Sequence, residues 1–247
     1  MMRPFFTALS FLTVLPVPQT AAAKDGELAF SMRFFPAVGF LVGLLSLALF
    51  AAAQKIFPAP LALLVLLMAP IFLSGGLHVD GFADFCDGFF SGKDKAGILR
   101  IMKDPNLGTW GVLGLALLLL SKWEALKLLP ARPVFFLLAV TAARWSQVVF
   151  SRFFPYVRPE GGLGQAVARK AGNWELGIAT LFLLPLLIWA GLPGLFVFVI
   201  YLFFLCLFGH FVQCRLGGVT GDVLGAVSEF SEWLILTAAV GMAFVRL

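Results

Sequence analysis

Aspartates recur at helical spacing in the stretch GGLHVDGFADFCDGFFSGKDKAGILRIMKDPNLG, Gly75 to Gly108. Five of the chain's 13 acidic residues lie here: Asp80, Asp84, Asp87, Asp94 and Asp104. With Asp80 to Phe89 helical at about 100° per residue, Asp80, Asp84 and Asp87 fall within an arc of about 60°. Phe82, Phe85 and Phe89 then gather on the opposite face. Carboxylates on one stripe repel one another, and close to lipid their ionised forms are costly. A divalent cation relieves both problems. Oxygen-only donors suit a hard cation, Mg²⁺ or alternatively Mn²⁺, which also takes substrate phosphate oxygens. Asp80, Asp84 and Asp87 are therefore candidate metal ligands. The plain alternative is a solvated loop with scattered acids, against which stand the helical spacing and the Phe face.

A second polar cluster is RLGGVTGDVLGAVSEFSE, Arg215 to Glu232. Gly217, Gly218 and Gly221 allow close backbone approach, and N–H groups exposed there can meet phosphate. Gly217, Gly218 and Thr220 are candidate substrate contacts on that ground. Asp222 and Glu229 are seven positions apart, so a helix starting near Asp222 carries both on one stripe. Asp222 is a candidate catalytic carboxylate and Glu229 a candidate substrate contact. A Gly-rich turn followed by an Asp at a helix start is the simpler account of the same residues.

Two further groups carry charge in apolar surroundings. Arg144, in TAARWSQ, sits ten residues into an apolar run and needs a partner. That partner is either a structural carboxylate such as Glu124 or the anionic oxygens of a substrate. Downstream, SRFFPYVRPEGGLGQ supplies Arg152, Arg158, Gly161, Gly162 and Gly164, which with Arg144 form a candidate clamp for anionic substrate oxygens, Arg158 being a candidate substrate contact. In IMKDPNLGTWG, Lys103 and Asp104 precede a helix for which Pro105 fits a start position. Asp104 is thus either a cap or a second candidate catalytic carboxylate, and Lys103 either a phosphate contact or a rim residue. His78 adjoins Asp80, but zinc-type partners are missing at workable spacing, so it is a candidate substrate contact only. SGKDK lacks the full Walker pattern, and no Ser-His-Asp arrangement is readable.

The elements that must hold these groups are apolar. Of the 247 residues 61% are hydrophobic and 13% charged, about half the charged share of a soluble domain, and the mean hydropathy is +0.99. The reading is all-α: a polytopic integral membrane helix bundle forming a single membrane-embedded catalytic domain over residues 1–247. Spanning runs fall at Phe34–Ala53, Ala59–Leu77, Leu107–Leu129, Val134–Ser151, Leu176–Ala190, Leu195–Cys214 and Leu224–Phe244. That makes about seven transmembrane helices, with six or eight also compatible. MMRPFFTALSFLTVLPVP has no small-residue cleavage pattern and is broken by Pro16 and Pro18, so it reads as a retained interfacial or re-entrant segment. Cys86, Cys206 and Cys214 form no CxxC pair and read as packing residues. The net charge of +5 bears on topology rather than on nucleic acid, which is not an expected partner. With the N-terminus inside, 12 of the 18 basic residues are cytoplasmic and 5 outside, Lys55, Lys122, Lys127, Arg132 and Arg246. The loops 78–106, 152–175 and 215–223 then share the cytoplasmic side.

GGLHVDGFADFCDG, followed by ILRIMKDPNLGTWG and by GGVTGDVLGA with Glu229, closely resembles the cobalamin synthase family, the adenosylcobinamide-GDP ribazoletransferases. The likeness runs from FLTVLPVP and RFFPAVGF to the final helix. It implies a Mg²⁺-dependent enzyme of the bacterial cytoplasmic (inner) membrane, acting in vitamin B12 nucleotide-loop assembly. Such enzymes join the phosphate of adenosylcobinamide-GDP to α-ribazole or its 5′-phosphate and release GMP. The aspartate spacing is also similar to that of CDP-alcohol phosphotransferases, D-x-x-D-G-x-x-A-R. Here, however, the order is D-G-x-x-D-x-x-D-G, with no arginine following. A cation-coupled secondary transporter is the alternative of another class, but paired repeats with matching broken helices are not visible.

Overall fold

The computed structural model of the chain describes residues 3–18, 27–129, 133–158 and 172–245. Their regular elements are helices, in the order α1 (Arg3–Leu12), α2 (Glu27–Ser31), a 3₁₀ turn (Met32–Phe34), α3 (Phe35–Ala53), α4 (Ala59–Leu73) and α5 (Leu77–Phe89). Then come α6 (Lys95–Ile101), α7 (Thr109–Leu128), α8 (Pro133–Phe153), α9 (Asn173–Leu181), α10 (Leu184–Leu216) and α11 (Gly221–Val245). The Gly161–Gly162–Gly164 loop expected to meet substrate lies outside the described residues.

Among the described residues four helical stretches are long and apolar enough to cross a membrane: Ala29–Ala53, Pro133–Phe153, Leu184–Leu216 and Gly221–Ala243. The pair α4 and α5, bent by 86°, makes a fifth if counted as one broken span. The expected runs of about seven resolve differently for physical reasons. α7 carries Lys122, Glu124 and Lys127 in its 20 residues, which lowers its apolar character. The break expected at Gly191 and Pro193 is present, since Gly191 takes φ 65° and ψ −154° and divides Leu184–Leu216 into two helices at a kink. The run from Leu176 is shared between α9 and the first part of α10. Along α10 the large side chains of Ile188, Phe203 and Leu207 are exposed, as a lipid-facing surface requires. α1, with 10 residues, is about 15 Å long, too short to span, and it packs Ala8 and Leu12 into the bundle. Cys86 is buried as packing predicts, while Cys206 and Cys214 are exposed.

α8 is the bundle's axis, buried from Val134 to Val148 and packed between α3 and α11. Gly39 makes the α3 approach feasible: a Cβ there would stand 2.7 Å from the Val140 carbonyl oxygen and 2.9 Å from Arg144 Cγ. On the other side of α8, a buried ionic network joins three helices. Lys122 of α7 donates to Glu229 at 2.6 Å and to Glu232 at 2.8 Å, both on α11. Arg144 of α8 donates to Ser228 at 2.6 Å and pairs with Glu232 at 3.1 Å. Cations and carboxylates balance, which is what such burial demands. Two expectations change here. Lys122 is an interior residue rather than an outside-loop charge, and Glu124 pairs with Lys127 on the surface instead of with Arg144.

Candidate functional site

α5 carries the aspartate stripe, and its direction is set by the turn before it. Gly75 and Gly76 take φ 61° and 76°, left-handed values that side chains resist, and they swing α5 across the end of α4. Phe82 and Phe85 then pack inward, their ring centroids 5.0 Å from Phe230 and 5.4 Å from Phe208 respectively. The opposite face turns outward, with Asp80 exposed and Asp84 and Asp87 half-buried.

α5 crosses α11 at two glycines. A Cβ on Gly81 would lie 3.0 Å from Asp222 Cα, and one on Gly225 would lie 3.1 Å from the His78 carbonyl oxygen. This crossing places Asp222 beside the stripe. The charges facing Asp84 are those of Asp222, Asp80 and Asp87, with Arg158 as counter-charge. Arg158 Nη2 donates to Asp222 Oδ2 at 2.5 Å and to the Met102 carbonyl at 3.1 Å. The Thr220 hydroxyl donates to the same Asp222 oxygen at 3.3 Å and accepts from the Val223 N–H, so Thr220 caps α11.

Arg158 is delivered by pairing between two loops. The Val219 N–H donates to the Pro155 carbonyl at 2.8 Å and the Val157 N–H to the Val219 carbonyl at 3.0 Å. Gly218, at φ 155°, has no side chain because one would overlap the Pro155 carbonyl. The Pro155 contact is thus a second reason for glycine at 218, beside the expected approach to a diphosphate. Gly217, at φ 77°, ends α10 and lies close to Lys95 Nζ. Arg215 donates to the Phe89 carbonyl at 3.3 Å, satisfying the C-terminus of α5.

The remaining candidates are dispersed. Asp87 has both oxygens engaged, accepting from the N–H of Gly108 at 2.7 Å and of Gly111 at 2.8 Å, so it caps α7 from a distance. Asp104 stands in an exposed turn, where the backbone N–H and side-chain amide of Asn106 hold its carboxyl below the usual range. It does not cap α7, whose N-cap is Gly108, and Pro105 precedes the helix altogether. Lys103 is exposed in the same turn. His78 is buried, its Nδ1 3.2 Å from Gln147 Nε2. Arg144 and Glu229 belong to the interior network, with Glu229 about two turns deeper along α11 than Asp222.

Among the described residues no group of three or more His, Cys, Asp or Glu side chains could hold a metal ion by itself. Among those residues no closed all-protein cage is formed. Mg²⁺ needs none, since it commonly takes one or two carboxylates and fills its octahedron with phosphate oxygens and water. Asp80 and Asp84, one turn apart and facing Asp222, fit that demand; Asp87, already bonded twice, fits it less well.

Beside Asp80 lies an open cavity of about 650 Å³, bordered by the end of α1 and the segment after it, the α4–α5 turn, α5, Leu107 and α7. Among the described residues Asp80 is the one charged member of its wall.

A cobalamin-5-phosphate synthase family model matches residues 4–240. The chain belongs to that family. Proteins named adenosylcobinamide-GDP ribazoletransferase are similar to it over nearly their whole length. That of Desulforamulus reducens is 40% identical over 238 residues, 95% of each chain. That of Pseudomonas putida is 40% identical over 249 residues, covering 98% of this chain and all of the relative. That of Geotalea daltonii is 34% identical over 259 residues, 98% of each. No solved structure matches. Neither the CDP-alcohol phosphotransferase nor the transporter alternative is favoured by these relatives.

For this family member, sequence reasoning overlooked the residues that assemble the site rather than those that line it. Gly81 and Gly225 had a signal, since a glycine inside a helical pattern marks a close crossing. Gly108 and Gly111 had one too, three apart at a helix start. Lys122 and Glu232 had none beyond their charge in an apolar run.

Proposed function

We propose that the chain is an adenosylcobinamide-GDP ribazoletransferase, joining the phosphocobinamide part of that substrate to α-ribazole, or to α-ribazole 5′-phosphate, with release of GMP. The observation that carries the reading is the meeting of Asp80, Asp84, Asp222 and Arg158 at the α5–α11 crossing, in a chain of this family. A ribose hydroxyl attacks the phosphorus on the cobinamide side of the diphosphate. The bond from that phosphorus to the bridging oxygen breaks, and GMP departs with the electron pair. Asp222 takes the hydroxyl proton, a short transfer if the acceptor lies between α5 and the start of α11. Arg158, half-buried and already at Asp222, turns its other donors to phosphate oxygens. A Mg²⁺-class ion held by Asp80 and Asp84 together with the diphosphate would neutralise the charge that accumulates on the leaving oxygen.

The site faces the cytoplasm of a bacterial inner membrane in this reading, supported by the 12-to-5 division of basic residues, or 12 to 4 with Lys122 placed in the interior. The protein in detergent, given adenosylcobinamide-GDP, α-ribazole and Mg²⁺, releases GMP in step with formation of the base-linked corrinoid. Absence of both products under these conditions overturns the assignment.

A further inference from the structure

The cavity beside Asp80 is separate from the Arg158 side of the carboxylate group, yet Asp80 belongs to both. Apart from Asp80 its wall is uncharged: Val79, Ala83, Leu107 and Leu115 supply apolar surface. The Thr13 hydroxyl, also in the wall, spends its hydrogen on the Leu9 carbonyl at 2.7 Å. The apolar part of this wall offers a phosphate no basic side chain. It accepts a flat apolar ring, with a polar appendage directed at the carboxylate end.

We infer that this cavity seats the acceptor nucleoside, its planar benzimidazole-type base among the apolar residues and its ribose at Asp80. The inference rests on the transferase reading for the identity of the two substrates. Size separates them. A volume of about 650 Å³ falls in the range of about 300–1,000 Å³ that suits drug-sized ligands. A nucleoside is of that class, whereas a corrinoid bearing a nucleoside diphosphate is several times larger. Charge separates them again, since Arg158, the guanidinium available to the diphosphate, stands at Asp222 and not in the pocket wall. The ribose hydroxyl is thereby delivered at the edge of the stripe, between the base-binding chamber and Asp222. The step is the one already written: the hydroxyl oxygen bonds to phosphorus, its proton goes to Asp222, and GMP leaves.

Leu107 and Val14 line the cavity and are largely exposed, so Leu107→Trp and Val14→Trp fill it without entering the core. The KM for α-ribazole should rise by about tenfold or more in each, while that for adenosylcobinamide-GDP stays within about twofold. Wild-type protein in nanodiscs should also bind α-ribazole alone in equilibrium dialysis, and Leu107→Trp should not. A nucleoside KM unchanged in both variants, or two KM values rising together, overturns the assignment. So does a lipid acyl chain found in the cavity by native mass spectrometry that α-ribazole fails to displace. Wild-type protein that binds α-ribazole but releases no GMP counts against the transferase reading and leaves the nucleoside seat standing.

Discussion

Gly81 and Asp222 are in van der Waals contact through their backbones: a Cβ on Gly81 would stand 3.0 Å from Asp222 Cα and 3.2 Å from its carbonyl oxygen. The aspartate stripe of α5 and the start of α11 form one site only because this contact is so close. Gly81→Val should lower kcat for GMP release by at least about tenfold and weaken the fold by about 1–3 kcal/mol through overpacking. Thermal melting and turnover are measured on the same preparation. Wild-type values for both would show that the crossing is not what assembles the site.

Asp84 faces Asp80, Asp87 and Asp222 and is the centre of the carboxylate group. Asp84→Asn keeps the shape and removes the charge. It should reduce transfer by about a hundredfold or more while the protein still inserts and melts normally. Activity within about threefold of wild type at saturating Mg²⁺ would take Asp84 out of the metal-binding set.

Asp87 has a different assignment, since it bonds to the Gly108 and Gly111 N–H groups. Asp87→Ala removes both bonds and should destabilise the protein by about 1–3 kcal/mol, with Asp87→Asn intermediate. An unchanged melting temperature coupled to a raised Mg²⁺ requirement would return Asp87 to the metal ligands.

Lys122 is held by Glu229 and Glu232 in the interior. Lys122→Met leaves an uncompensated buried carboxylate and should be destabilising by about 3–5 kcal/mol. Adding Glu229→Gln restores charge balance, because Arg144 still pairs with Glu232. The double variant should therefore be more stable than Lys122→Met alone. If the two losses simply add in a double-mutant cycle, Lys122 and Glu229 are not coupled.

Topology is testable at two exposed lysines, Lys93 on the α5–α6 turn and Lys55 on the α3–α4 turn. In a background lacking Cys86, Cys206 and Cys214, Lys55→Cys should react with a membrane-impermeant thiol reagent in intact cells and Lys93→Cys only after lysis. The reverse pattern would turn the protein over.

The amino-acid sequence by itself determined what is local or periodic. Helix α5 and its two faces followed from Asp and Phe spacing, because side-chain direction repeats at about 100° per residue. The membrane class followed from composition, and α3 and α8 came within a few residues of their expected bounds. Long-range choices were made by the tertiary structure. Arg144 had an unpaired charge in the sequence, but whether Glu124, a substrate or Glu232 meets it depends on which helix face α8 turns to α11. Asp87 shared the stripe with Asp80 and Asp84, yet the N-terminus of α7 lies against it and its unsatisfied N–H groups take both oxygens. Asp222 met Asp84 because glycines on two helices let their backbones touch, and a contact between distant segments leaves only a missing side chain in the sequence.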